Sequence, residues 1–186
     1  MNIKMIEVEI KAKIENPKYE IEKLDKLGAK YSHTERQHDI YFNAPDKDYK
    51  KTDEALRIRK IPKNDTEFEK ILTYKGPKLN DISKTRKEIE VEISSITKMT
   101  EILENLGFKK AATVDKIRRI FTYENYTITI DKLEKLGTYM EIEDVVKEDA
   151  NIDEICDNIM EIFKKLDITD NFERTSYLEL LEENKE

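Results

Sequence analysis

The sequence predicts an α+β fold: eight antiparallel strands that fit a β-barrel, helices packed on its outside, and two pseudo-repeat halves. Three observations predict it. Eight segments alternate charged or polar residues with aliphatic ones at the period of a strand. Four others carry apolar residues at helical spacing or helix-capping signals. The run Ile-Glu-Val-Glu-Ile occurs twice, at 6–10 and 89–93, each time followed by a helix-like stretch ending in Leu-Gly, at Gly28 and Gly107. The first Glu of each copy, Glu7 and Glu90, are 83 positions apart, and the two glycines 79. A small length change inside an old duplication explains both spacings.

Strands are expected over 5–14, 30–42, 54–61, 67–75, 85–94, 109–123, 126–132 and 138–146. Turn-forming residues separate them: Asn-Ala-Pro-Asp-Lys-Asp after Phe42, Pro-Lys-Asn-Asp after Ile61, Gly-Pro-Lys-Leu-Asn-Asp after Lys75, and a hairpin at Glu124 and Asn125. Helices are expected over 17–27, 97–106, 152–166 and 175–182. The first has Asn16 to cap it, Pro17 at its first position and Gly28 past its end. The third carries the clearest apolar stripe, Ile152, Ile155, Ile159, Ile162, Phe163 and Leu166, which reads as core packing. Eight strands is the smallest common number for a closed barrel. Neither half could bury its apolar strand face alone, so one domain over 1–186 is expected, with pseudo-repeats at about 5–75 and 85–146 and C-terminal helices over 151–184.

Composition narrows the function. Charged residues make up 40% of the chain and hydrophobic ones 38%, but the charges alternate with Ile, Val, Leu, Tyr and Phe, which reads as folded strands with charged faces. A net charge of −7 argues against general nucleic-acid binding, which needs a basic excess, while leaving room for a local basic pocket. Cys156 is the only cysteine, so no internal disulfide forms and no Cys/His zinc spacing exists. The absence of an apolar leader or long apolar run points to the cytoplasm and away from membranes.

Sorting residues by strand parity separates two chemistries. In the first strand Ile6, Val8, Ile10, Ala12 and Ile14 share one face, and Glu7, Glu9, Lys11 and Lys13 the other. Ile89, Val91 and Ile93 likewise oppose Arg86, Glu88, Glu90 and Glu92; Leu56 and Ile58 oppose Arg57 and Arg59; Met140 and Ile142 oppose Tyr139, Glu141 and Glu143. An open sheet with its charged face in water would show the same alternation. Four amphipathic helices, however, need an apolar surface to cover, and on a barrel that surface is the outside. The charged faces would then line the inside, at a prohibitive cost unless paired, hydrated or held for a ligand. The acids Glu7, Glu9, Glu141, Glu143 and Asp131 offer hard oxygen ligands for Mg²⁺ or Mn²⁺. Lys11, Lys13, Arg57, Arg59, Lys75, Arg86, Lys116 and Arg118 offer donors for an anion. A phosphate chain with divalent metals asks for both sets. Parity leaves 114–121 ambiguous, because Ile120 shares a face with Lys116 and Arg118. His33 and His38 differ in parity and lack a spaced partner, and Cys156 sits alone on a helix, so none of them reads as catalytic.

Glu-Val-Glu-Ile-Lys at 7–11 resembles the ExExK signature of the CYTH, or triphosphate tunnel metalloenzyme, superfamily, and the chain looks most like its class IV adenylate cyclase branch. His38 to Pro45, Ala55 to Lys60, Thr73 to Lys78, Thr85 to Ile93, Val114 to Phe121, Ile130 to Glu143 and Arg174 to Leu181 follow in the family's order. The resemblance implies an eight-stranded antiparallel barrel forming a tunnel. It implies divalent-cation binding by Glu7 and Glu9, joined by Glu141 and Glu143, and triphosphate binding by Lys11, Arg57, Arg59, Lys75, Lys116 and Arg118, with Arg86 a further member. Glu9, Glu143 and Lys11 become the catalytic candidates. The expected substrate is ATP or another triphosphate compound, cyclised to cyclic AMP and pyrophosphate. Hydrolysis of tripolyphosphate, thiamine triphosphate or a nucleoside triphosphate is the alternative, and a non-catalytic nucleotide or polyphosphate sensor the second. The resemblance is also compatible with a homodimer.

Overall fold

The computed structural model describes residues 5–64, 66–79, 83 and 85–184. Its strands are β1 (Met5–Ile14), β2 (Lys30–Asn43), β3 (Ala55–Pro62), β4 (Phe68–Lys78), β5 (Arg86–Glu92), β6 (Lys109–Tyr123), β7 (Tyr126–Leu133) and β8 (Gly137–Lys147). Its helices are α1 (Pro17–Leu27), α2 (Tyr49–Thr52), α3 (Ile96–Asn105), α4 (Ile152–Lys165) and α5 (Tyr177–Glu183). The strands close an antiparallel barrel in the order β1-β5-β4-β3-β2-β6-β7-β8, with helices outside. Among the described residues, no helix is long and apolar enough to cross a membrane.

Two differences from the expected elements have local causes. Chain after Asn43 contains α2, whose four residues are too few to show a helical period; Asp48 caps it, and Asn43 Oδ1 accepts the Tyr49 N–H at 2.8 Å. Strand β4 runs on through Gly76 and Pro77 to Lys78, where a turn is expected, and the Leu79 N–H then bonds the Thr85 carbonyl at 2.8 Å. Asp65 and the Asn80-Asp81 end of the expected turns lie outside the described residues.

The chain divides into two compact units. The first comprises Met1–Glu35, Lys78–Arg86 and Ile117–Thr175. Its core joins the even-numbered face of β1 (Val8, Ile10, Ala12, Ile14) to Ile128 and Ile130 of β7, Met140 and Ile142 of β8, and Ile159, Ile162, Phe163 and Leu166 of the α4 stripe. Cys156 is buried in this core, so its thiol is a packing group, and burial pushes it up from its ordinary pKa. Helix α1 starts at Asn16, whose side chain accepts from Tyr19 N, and ends at Gly28 with φ 92°, a left-handed value that a side chain would strain.

The second unit comprises Arg36–Pro77, Lys87–Lys116 and Ser176–Glu186. Phe42, Tyr49, Leu56, Ile58 and Leu103 form its core, with Leu72, Tyr74 and Ile93 packed against them. Helix α5 opens on a capping box: Ser176 and Glu179 each take the other's backbone N–H, at 3.2 and 2.8 Å. In both units, then, apolar residues of one strand parity pack into the core and release the other parity for charged side chains.

Candidate functional site

In the first unit the odd-numbered face of β1 meets that of β8. Cα register pairs Glu9 with Glu143 and Lys11 with Glu141, and Glu7 pairs with Arg86 of β5. Glu7, Glu9 and Glu143 come together there: one carboxylate oxygen from each lies within 4.8 Å of the others. Burial, the adjacent Glu7 charge and a hydrogen bond to Glu7 push Glu143 up to about 9. Three carboxylates this close repel each other unless a proton or a cation lies among them. An all-carboxylate donor set suits a hard divalent ion, so these residues fit Mg²⁺ or Mn²⁺.

The other acids expected as metal ligands are placed differently. Asp131 is fully buried and bonded twice by Arg118, from Nε at 2.7 Å and Nη2 at 2.6 Å. Arg118 Nη2 also donates to Glu141 Oε2. Asp131 and Glu141 thus lie as counter-charges to Arg118, while Glu7, Glu9 and Glu143 form a separate carboxylate cluster. The pairing of Arg118 with Asp131 also resolves the parity of β6: Lys116, Arg118 and Ile120 share the charged face, and Phe121 turns to the core. Lys11 is 1% exposed; its ammonium donates to the Thr175 carbonyl at 2.6 Å and stands 5.1 Å from the Tyr139 ring centroid. Lys13, two positions on, is exposed.

In the second unit Arg57, Arg59 and Lys116 gather around a buried acid, Asp39. Asp39 of β2 lies opposite Arg59 of β3 and accepts Nε and Nη2 of that arginine, each at 2.7 Å. Arg57 Nη1 is 3.6 Å from the same carboxylate. Burial would raise Asp39, but Arg59, with Arg57 and Lys116, holds it well below the usual carboxylate range. Burial likewise opposes the charge of Arg57, and Asp39, Tyr41 and Glu88 outweigh it. The buried Nε of Arg57 meets no hydrogen-bond acceptor among the described residues, a donor that an anion would satisfy. Lys75 is paired with Glu88, and Lys116 is buried beneath the Tyr177 ring at 5.0 Å. Glu90 accepts Thr73 Oγ1 at 2.7 Å and lies 3.8 Å from Arg57 Nη2. The signal for Asp39 was available in the parity it shares with Tyr41, opposite the Arg57 and Arg59 face.

His33 and His38 make exposed pairs with Glu35 and Asp115, at 2.9 and 2.7 Å.

Residues 5–177 match the CYTH domain family. The chain belongs to that family. A Methanocaldococcus jannaschii protein, provisionally named an adenylate cyclase, is 46% identical to this CYTH chain over 177 residues, 95% of this chain and 98% of that one. Among solved structures, a Pyrococcus horikoshii protein is 43% identical with a TM-score of 0.88, covering 96% of this chain and 99% of its own. A Hippeastrum protein, provisionally named an adenylyl cyclase and described by a dominant triphosphatase activity, shares the fold at 18% identity and a TM-score of 0.67, covering 97% of this chain and 96% of its own.

Proposed function

We propose that this CYTH protein is a divalent-metal-dependent enzyme acting on a triphosphate, and that its reaction is that of a class IV adenylate cyclase, ATP to cyclic AMP and pyrophosphate. CYTH proteins are usually adenylate cyclase-like enzymes or triphosphatases. One observation carries the metal-dependent reading: the convergence of Glu7, Glu9 and Glu143 within 4.8 Å. A phosphate sensor needs cationic donors, and three clustered carboxylates would weaken it. The cyclase reading rests on the name of the M. jannaschii relative, similar over nearly the whole of both chains.

In this reading Glu7, Glu9 and Glu143 hold the cation. Mg²⁺ or Mn²⁺ bound there would neutralise phosphate oxygens and lower the pKa of an attacking hydroxyl. The resemblance assigns triphosphate donors to both units: Lys11, Arg86 and Arg118 in the first, and Arg57, Arg59, Lys75 and Lys116 in the second. Little covalent help is required of them, because phosphoryl transfer is governed by positioning and charge neutralisation. Buried counter-acids such as Asp39 and Asp131 hold the guanidiniums in place, so the donors are preorganised and need not be reoriented at the moment of reaction.

Triphosphatase activity is the second reading, favoured by the activity in the Hippeastrum protein's name. The test incubates the protein with ATP, tripolyphosphate and thiamine triphosphate, each with Mg²⁺ or Mn²⁺, and resolves the products. Cyclic AMP with pyrophosphate supports the cyclase, and orthophosphate the hydrolase. Tight, metal-independent binding without turnover would return the protein to the sensor class.

A further inference from the structure

Among the described residues, strand β1 meets different partners on its two edges. Along β8 its register runs from Met5 to Ile14, whereas on the other edge the register with β5 places Glu7 opposite Arg86. Further along, the chain after α4 takes up that edge. Lys13 N–H donates to the Asn171 carbonyl at 2.9 Å, Glu173 N–H to the Lys11 carbonyl at 2.8 Å, and Ala12 and Phe172 form an antiparallel bridge. Residues 171–173 are therefore a strap that bonds groups on this edge of β1. Phe172 secures the strap on α4 through an edge-to-face contact with Phe163, ring centroids 5.3 Å apart.

The strap then turns, and the turn is held by a side chain. Glu173 Oε1 accepts the Thr175 N–H at 2.7 Å. That bond fixes the orientation of Thr175, whose carbonyl receives the Lys11 ammonium at 2.6 Å. Among these contacts Glu173 reaches Lys11 by two routes: through its own N–H on the Lys11 backbone, and through Thr175 on the Lys11 side chain. A flexible four-carbon stem makes a lysine a poorly directed donor unless something aims it. A carbonyl aims it with an acceptor that carries no net charge of its own.

We propose that Glu173 is a positioning residue for Lys11: by holding the Thr175 N–H it aims the Thr175 carbonyl, and so sets where the Lys11 ammonium stands to meet a phosphate. The inference rests on the assignment of Lys11 to the triphosphate made above. Glu173 touches no reacting atom in this account, and its effect belongs to binding.

Glu173→Ala removes the acceptor for Thr175 N–H, while Glu173→Gln keeps an amide oxygen in its place. Glu173→Ala should weaken tripolyphosphate binding about tenfold, a loss of about 1.4 kcal/mol, and raise KM by a similar factor with kcat little changed. Glu173→Gln should stay close to wild type. In a Lys11→Met background Glu173→Ala should cost nothing further, because the interaction it serves is already gone. An equal loss with and without Lys11 would make Glu173 a merely structural residue, and a Gln variant as weak as Ala would assign the effect to charge; either overturns the proposal. A readout independent of the substrate is the Nζ resonance of Lys11 in lysine-labelled protein, which should shift in Glu173→Ala and hold in Glu173→Gln. If wild type binds no tripolyphosphate, the assignment of Lys11 fails, yet that resonance still decides whether Glu173 positions it. An unshifted resonance in Glu173→Ala ends the proposal.

Discussion

Arg118 and Asp131 form a two-pronged ion pair across β6 and β7, Nε to Oδ1 at 2.7 Å and Nη2 to Oδ2 at 2.6 Å, with Asp131 wholly buried. By residue type alone, Arg118 stands among the phosphate donors and Asp131 among the metal ligands. Their pairing gives Asp131 a different task, that of holding a guanidinium still. Asp131→Asn is accordingly expected to cost about 3 kcal/mol or more of stability, the scale of breaking a buried pair, and to leave metal stoichiometry and affinity unchanged. Chemical denaturation and metal titration by calorimetry check the two halves of this statement. A Kd for Mn²⁺ raised well beyond the stability effect would restore Asp131 to the cation site.

Glu9→Gln and Glu143→Gln should each lower Mg²⁺- or Mn²⁺-dependent turnover by about 100-fold or more, the range for losing one preorganised electrostatic partner of a transition state. The circular dichroism spectrum and a cooperative melt should survive, since the core uses the opposite strand parity. Turnover that persists in both variants would remove these residues from the cation site.

Glu143 also predicts a pH dependence. Its pKa in the folded, metal-free protein is about 9 against an ordinary 4.5, so the folded state holds a proton that the unfolded state gives up. The stability this proton contributes is complete below about pH 4.5, falls as pH rises, and is gone above about 9. Metal-free protein should therefore lose Tm between pH 5 and 9 more steeply than Glu143→Gln, which does not titrate. Cation binding near neutral pH should release about one proton, read by calorimetry in buffers of different ionisation enthalpy. Identical pH profiles for the two proteins would exclude a shared proton at Glu143.

Arg57 carries a buried Nε that meets no acceptor among the described residues. Arg57→Ala should weaken tripolyphosphate binding by about 1.5–3 kcal/mol, the worth of a hydrogen bond to a charged group, with Asp39 still balanced by Arg59. Unchanged affinity would reduce Arg57 to a counter-ion of Asp39.

Asp39 neutralises two arginines, so Asp39→Asn should be more damaging to the fold than Arg57→Ala. The expected loss is about 3–5 kcal/mol, because Arg57 and Arg59 would remain buried with their shared carboxylate gone. Equilibrium unfolding in urea measures it, and a loss under 1 kcal/mol would mean that the arginines find other partners.

Strand parity and helix caps were legible in the chain itself. The alternation in 5–14 and 138–146 determines which residues of β1 and β8 can pack and which carry charge, because a strand has only two faces. The start of α1 at Asn16 and Pro17 and its end at Gly28 follow from local hydrogen bonding and backbone conformation, which need no distant partner. The doubled Ile-Glu-Val-Glu-Ile run falls on strands β1 and β5, and the two copies diverge at Lys11 against Ser94. Other features required tertiary structure. Whether Glu143 or Asp131 joins Glu7 and Glu9 depends on register: β8 sets Glu143 opposite Glu9, while β6 sets Arg118 opposite Asp131. The parity of β6, the role of Asp39 and the strap that brings Glu173 and Thr175 to Lys11, 164 positions away from Thr175, have the same origin. A sequence specifies which groups a strand offers, but an ion pair or a metal cluster is made between strands, and only the register of one strand against another brings two particular side chains within reach.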